Sequence, residues 1–169
     1  MTDVVIRMAK PQEAQLLAEI EGICFPPLEA ASPAQIEERM KAFPENFVVA
    51  EAEGQPIGFI NGGTTDKPCL PDEMYHDVSL HNSQWAYQTV FGLNVLPAYR
   101  HQGIAGKLVE YFADLARKRG KKGVILTCKE RLIGFYESHG FQCFGVADSS
   151  HGGARWYEMR RILDRKSVV

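Results

Sequence analysis

Val90-Phe91-Gly92-Leu93-Asn94-Val95-Leu96-Pro97-Ala98-Tyr99-Arg100-His101-Gln102-Gly103-Ile104-Ala105-Gly106-Lys107-Leu108-Val109-Glu110-Tyr111 changes its periodicity at one turn. Before the turn, Val90, Phe91, Leu93, Val95 and Leu96 form a short, mostly apolar run that stops at Pro97, the pattern of a strand buried on both faces. After it, Ile104, Ala105, Leu108, Val109, Phe112, Leu115 and Ala116 recur at helical spacing, with Lys107, Glu110, Asp114 and Arg117 mostly opposite. That spacing predicts an amphipathic helix lying on a sheet. Glycines at such a turn let backbone N–H groups converge, and a helix N-terminus carries about half a positive charge, so Arg100 to Gly106 reads as an anion site. A phosphate or pyrophosphate suits it. Glycine turns before helices also occur for structural reasons alone, and the turn by itself leaves both readings open.

The flanking sequence supplies the rest of an α/β chain. Val4 to Met8 reads as an edge strand, and Lys10-Pro11 opens a helix with a face of Ala14, Leu17, Ala18, Ile20 and Ile23. Cys24-Phe25-Pro26-Pro27 interrupts that helix. Ser32-Pro33 is an N-cap followed by a first-turn proline, and Ile36, Met40 and Phe43 carry the second helix face. Phe47 to Glu51 and Pro56 to Asn61 flank Glu53-Gly54-Gln55, a hairpin signal. Thr64 to Ser83 has little periodicity and reads as a long loop with one helical turn; loops of this length are more often functional. Gly120 closes the Ile104 helix behind Arg117, Lys118 and Arg119. Val124 to Cys128 reads as a buried strand, Arg131 to His139 as a short helix ending at Gly140, Phe141 to Val146 as a strand, and Arg155 to Leu163 as a closing antiparallel strand. The order β-α-α-β-β-β-α-β-α-β-β describes a mixed α/β sheet with helices on both faces.

At 169 residues the chain is expected to form one domain, residues 1–169, large enough to bury roughly 70% of its unfolded surface. A formal net charge of −2 gives no basic field for a nucleic acid. Met1 to Lys10 lacks a leader pattern and no stretch approaches membrane-spanning length, so a soluble cytoplasmic protein without a membrane or nucleic-acid partner is expected. The four cysteines, Cys24, Cys69, Cys128 and Cys143, show no zinc spacing and read as reduced thiols, with Cys128 and Cys143 as small core residues. No metal is expected.

Neither G-x-x-x-x-G-K-[ST] nor G-x-G-x-x-G occurs. Arg100 to Ala105 is R-x-x-G-x-A after L-x-V-x-P at Leu93 to Pro97, which resembles the coenzyme A signature [QR]-x-x-G-x-[GA] of the GNAT superfamily of N-acetyltransferases. A second stretch, Leu126 to Phe141, resembles the same family as strand, polar link and a helix carrying F-Y-x-x-x-G-F. The similarity covers essentially the whole chain, including the Phe47 hairpin. It implies the acyl-CoA N-acyltransferase fold: a mixed, largely antiparallel sheet with helices on both faces and a splayed central parallel strand pair. Within the superfamily the chain resembles the arylalkylamine N-acetyltransferase branch through Cys24 to Ser32, L-T-C-K-E-R-L-I-G-F-Y and the terminal W-Y-E-M. Thr89 and Phe91 stand where vertebrate members of that branch carry two proton-relay histidines.

The resemblance implies acetyl-CoA as cosubstrate, held by Leu93, Asn94, Val95, Arg100, His101, Gln102, Gly103, Ile104, Ala105, Gly106 and Lys107. It implies direct transfer to a small aromatic or aliphatic primary amine in a ternary complex, with the protein a monomer or homodimer. Such an amine, with a pKa of about 10, must lose a proton, the thioester oxygen must be stabilised and the leaving thiolate protonated. By resemblance Tyr136 is the general acid, and a backbone N–H near Asn94 to Leu96 stabilises the oxyanion. His81 is the candidate base; His76, and Glu21 or Glu29 through water, are others, whereas His139 and His151 read as a helix-end charge and a turn residue. Phe25, Pro26, Pro27 and Leu28 are candidate acceptor-pocket residues, with Trp85, Tyr87 and Tyr75 as an aromatic wall. Two alternatives remain: acetylation of a peptide N-terminus or lysine, and a module that senses acetyl-CoA without turning it over.

Overall fold

The computed structural model describes residues 3–149 and 153–163, so His151, read as a turn residue, lies outside the described residues. The elements in chain order are β1 (Val4–Met8), α1 (Ala14–Cys24), α2 (Pro33–Ala42), β2 (Phe47–Ala52), β3 (Gln55–Asn61), β4 (Thr64–Thr65), β5 (Tyr87–Thr89), β6 (Gly92–Val95), α3 (Ile104–Lys118), β7 (Gly123–Cys128), α4 (Ile133–Glu137), β8 (Gln142–Val146) and β9 (Tyr157–Ile162). Contacts divide the chain into two compact units, Met1–Asn61 with Gly92–Phe112, and Gly62–Phe91 with Ala113–Val169. The architecture is mixed α/β.

The first unit contains a sheet of order β1-β2-β3-β6, antiparallel throughout. The β2–β3 hairpin turns at Glu53 and Gly54, with φ of 53° and 79°. Two left-handed residues in a two-residue loop give a turn whose twist matches the strands. Phe43, Phe47 and Phe59 stack in sequence, with centroids 6.2 and 6.3 Å apart, as part of the core. α1 packs on β3, β6 and α2. α2 starts as its sequence predicts: Ser32 Oγ accepts from Gln35 N at 3.2 Å while Ser32 N donates to Gln35 Oε1 at 2.8 Å.

The second unit contains a sheet of order β4-β5-β7-β9-β8, in which β5 and β7 are parallel and the other pairs antiparallel. α4 packs on β8 and β9. Buried Lys121 donates to the carbonyls of Ser83 and Trp85, both at 2.6 Å, and so ties the end of the long loop to the start of β7.

Several boundaries differ from the sequence reading. The run from Val90 to Leu96 is not one strand: β5 ends at Thr89, β6 begins at Gly92, and the two belong to different sheets. Hydrophobicity is continuous there, but the hydrogen-bonding partner changes, from β7 to β3. Ile23, placed on the core face of α1, is 60% exposed. Pro11 opens a 3₁₀ turn over Pro11–Glu13 before α1, and another over Glu130–Leu132 precedes α4, so both helices start later than their patterns suggest. Thr64 to Ser83 contains β4 and two 3₁₀ turns, Asp72–Tyr75 and Val78–Leu80, rather than one.

Candidate functional site

In the first unit, β6 is terminal in its sheet order, so its outer edge has no ladder partner within that sheet. Leu96 N donates to Ile57 O at 2.9 Å. Since hydrogen-bonded and non-hydrogen-bonded pairs alternate in an antiparallel ladder, Leu96 and Asn94 face β3 with their backbone groups, whereas Leu93 and Val95 present theirs outward. Leu96 N–H is therefore occupied, and within the Asn94 to Leu96 span it is Val95 N–H that is directed to the free edge. The Val95 carbonyl accepts from Arg100 Nε at 2.9 Å and from Cys24 Sγ at 3.4 Å.

Beyond β6 the chain makes a 3₁₀ turn at Pro97–Tyr99, reaches His101 at φ 64° and Gly103 at φ 78°, and enters α3. Two left-handed residues with Gln102 between them turn the loop into the helix start. The first N–H groups of α3, at Ile104, Ala105 and Gly106, lie in the turn where a helix has no internal acceptors, and the helix dipole adds to their positive potential. Gln102 Oε1 is buried without a hydrogen-bond partner among the described residues. Lys107 is exposed on the first turn. The loop thus has the chemistry of an anion cradle, built mostly from backbone.

The proline corner follows α1. Pro26 O accepts from both Glu29 N and Ala30 N at 2.9 Å, forming a compact turn. Phe25 is half-buried, Pro26 and Pro27 are exposed, and Leu28 is 79% exposed.

In the second unit, Tyr136 is buried on α4, edge-on to Phe135 at 5.0 Å and to Phe141 at 5.5 Å between centroids. Burial pushes its phenol pKa well above the ordinary value, with Cys128 and Tyr75 adding to the shift. The group is therefore protonated throughout the neutral range, as a proton donor must be. Burial likewise raises Cys128, to about 12. Tyr75 shares a 3.2 Å hydroxyl contact with Thr127 and packs on Phe91, at 5.3 Å between centroids.

Thr89 and Phe91, which the resemblance sets where relay histidines would stand, both have partners of their own. Thr89 Oγ1 donates to Gly63 O at 3.0 Å. His81 is half-buried, not an exposed loop side chain, and its Nδ1 accepts from Thr64 N at 3.1 Å. His76 is exposed. The sequence reading treated Glu21 as a carboxylate near the proline corner and did not place it in the core. Its position one turn after Leu17 on the apolar stripe was the available signal.

A free edge strand leading through a backbone-lined anion loop into a long amphipathic helix suits an extended, amide-bearing ligand that carries a phosphate group. Comparisons with known proteins agree: residues 14–141 match the model of the Acetyltransferase (GNAT) family. The chain is 27% identical to serotonin N-acetyltransferase of Mesocricetus auratus over 161 residues, 93% of this chain and 76% of that one. Its fold resembles the GphF GNAT-like decarboxylase in complex with isobutyryl-CoA, with a TM-score of 0.82, 22% identity and coverage of 95% of this chain and 100% of the other. It also resembles the loading GNATL domain of CurA from Lyngbya majuscula, with a TM-score of 0.81 and 15% identity, covering 95% and 98% of the two chains. The chain belongs to the acetyltransferase (GNAT) family and is an acetyl-CoA-dependent N-acetyltransferase, with similarity to the arylalkylamine branch. No helix among the described residues is long and apolar enough to cross a membrane.

Proposed function

We propose that the protein acetylates the primary amine of a small aromatic or aliphatic molecule by direct transfer from acetyl-CoA. The observation that carries the reading is the outward-facing backbone of Leu93 and Val95 on a strand edge, continuous with the His101 to Gly106 turn. An extended amide-bearing arm can add to such an edge as a further strand, and its pyrophosphate suits the helix start. The 27% identity to serotonin N-acetyltransferase supports a small amine as acceptor.

In this reading Leu93 and Val95 align the pantetheine arm through their outward backbone groups, Asn94 between them turns its backbone to β3, and the loop from Arg100 to Lys107 holds the pyrophosphate. The outward Val95 N–H is the donor assigned to the oxyanion, a contribution that would grow in the transition state. Tyr136 donates its phenolic proton to the departing thiolate. Phe25, Pro26, Pro27 and Leu28 shape the acceptor's surroundings, with Leu28 free to close over an apolar amine.

Thiol release from acetyl-CoA, followed across arylalkylamines, polyamines, free amino acids and peptides, tests the proposal. Release with small amines alone supports it. Release only with peptides would move the acceptor to a peptide N-terminus or lysine. Coenzyme binding by calorimetry with no release in any class would favour a sensing module.

A further inference from the structure

Two hydroxyls of the second unit pair at the end of β7. Tyr75 is 7% exposed and ends the 3₁₀ turn Asp72–Tyr75, and its hydroxyl lies 3.2 Å from Oγ1 of half-buried Thr127. Each hydroxyl both donates and accepts, and either can be the donor here, so the pair can pass a proton in either direction. Cys128, the next residue of β7, and Tyr75 are the titratable groups whose charge is felt at the Tyr136 phenol.

The Tyr75 ring is held in an apolar cluster. Leu70 and Met74 are buried with it, and Leu80 and Phe91 pack against the three. Phe91, set by the resemblance at a relay-histidine position, has its ring centroid 5.3 Å from that of Tyr75. Gly63 permits this convergence, because a Cβ there would stand 3.2 Å from Met74 Cε and 3.3 Å from Phe91 Cζ. The position that lacks an imidazole thus braces a phenol. The hydroxyl pair also borders the surface. Glu158 is the register partner of Thr127, so the two side chains share a sheet face. Glu158, Asp72 and Glu73 line a cavity of about 580 Å³, where Ser149 Oγ donates to Asp72 Oδ1 at 2.6 Å.

We infer that the hydroxyls of Tyr75 and Thr127 return a proton to Tyr136 after each acetyl transfer. The inference rests on the amine-acetylation reading with Tyr136 as proton donor. As the N–C bond forms and the C–S bond breaks, the Tyr136 O–H proton moves to sulfur and leaves a phenolate. The phenolate takes the Tyr75 proton, over hydrogen-bond distance or one water. Tyr75 takes the proton of Thr127, and Thr127 takes one from water in the cavity. The ammonium nitrogen sheds two protons to solvent and the hydroxyls draw one back, so ammonium and thioester become amide, thiol and one released proton.

Burial supplies the need for such a route as well as its driving force. A phenolate is costly in an interior lined by Phe135 and Phe141, so return of the proton is downhill. Tyr136 is only 6% exposed, and proton exchange with bulk water needs an intermediary. Tyr75 and Thr127 touch no substrate in this scheme and act through Tyr136.

Tyr75→Phe tests the inference, because phenylalanine keeps the ring against Phe91 and removes only the hydroxyl. Mixed in a stopped-flow instrument with acetyl-CoA and an amine that the native protein accepts, it should release one thiol per active site at the native rate. Later turnovers should be on the order of 100-fold slower, and should quicken with added imidazolium as an external proton donor. Coenzyme affinity and the unfolding midpoint are expected at native values. A folded variant whose turnovers all run at one rate, native or reduced, overturns the inference. Should Tyr75→Phe fail to fold, Thr127→Val replaces it: the same burst is expected, with Thr127→Ser restoring most of the lost rate, and absence of the burst overturns the inference equally. Tyr136→Phe with no loss of rate, or native protein that binds coenzyme A but releases thiol with no amine, overturns the underlying reading instead, a different result from a burst-free Tyr75→Phe.

Discussion

Arg100 turns its Nε back to the carbonyl of Val95, 2.9 Å away, and so ties the head of the anion loop to the last residue of the free edge strand. The bond fixes the loop's entry angle through Nε alone. Arg100 is exposed, so its structural contribution sits at the low end for a charged donor, about 1 kcal/mol. Arg100→Ala should lower the thermal midpoint by roughly 2–4 °C. It should weaken coenzyme A binding about tenfold by calorimetry, the larger effect in energy terms. Arg100→Lys should recover charge but not the forked geometry, and so only part of the affinity.

Tyr136 has its ring held edge-on by Phe135 and Phe141. Phenylalanine preserves that packing and removes only the hydroxyl, so Tyr136→Phe should fold normally and bind coenzyme with native affinity. If the phenol protonates the thiolate, kcat falls by about 100-fold or more. An unchanged kcat in a stopped-flow thiol assay would exclude it from the mechanism.

Much of this architecture was legible because its causes are local. The Ser32 N-cap with Pro33, the Glu53-Gly54 turn and the amphipathic α3 each follow from residue chemistry within a few positions. The break between β5 and β6 was not legible, because Val90 and Phe91 keep the apolar run continuous while pairing passes from one strand to another. Which backbone groups of β6 face outward depends on the ladder with β3 and has no signature in side-chain order. Arg100 to Gly106 could be read as an anion site from its glycines, yet the exposure of Ile23 and the burial of Glu21 show that α1 is rotated relative to its simplest apolar stripe. Lys121 gave no sign of burial, since the two carbonyls that hold it lie in an aperiodic loop.

His81 serves as an acceptor for the buried first residue of β4, through Thr64 N at 3.1 Å. Replacing it with alanine leaves that N–H without its acceptor, at a cost of about 1–3 kcal/mol. His81→Ala is expected to lower the urea midpoint while the acid limb of the pH–rate profile stays where it is. A limb that moves in a variant of native stability would give His81 the base role.

Two glutamates of the first unit should bend the stability curve in opposite directions with pH. Arg7 donates to both oxygens of Glu13, at 2.9 and 2.7 Å, and to Glu51 at 2.8 Å. Its hydrogen bond to Glu13 holds that carboxyl below the usual range, against the opposing effect of burial. The stabilisation is complete above the unfolded-state pKa of about 4.3 and is lost as pH falls through the lower folded-state value. Glu21 has the reverse sign. Burial raises its pKa, so the fold favours the protonated form, and that advantage is lost as pH rises from about 4.3 through the raised folded-state value. Urea midpoints measured from about pH 3 to 7 should therefore show a flatter acid arm for Glu13→Gln. For Glu21→Gln the midpoint near neutral pH should equal or exceed the native one. Coincident acid arms for native protein and Glu13→Gln would mean that the Arg7 pairing adds nothing in solution. A lower neutral midpoint for Glu21→Gln would mean that Glu21 is ionised and stabilising there, so that its interactions with Ala31 N and Arg39 outweigh its burial.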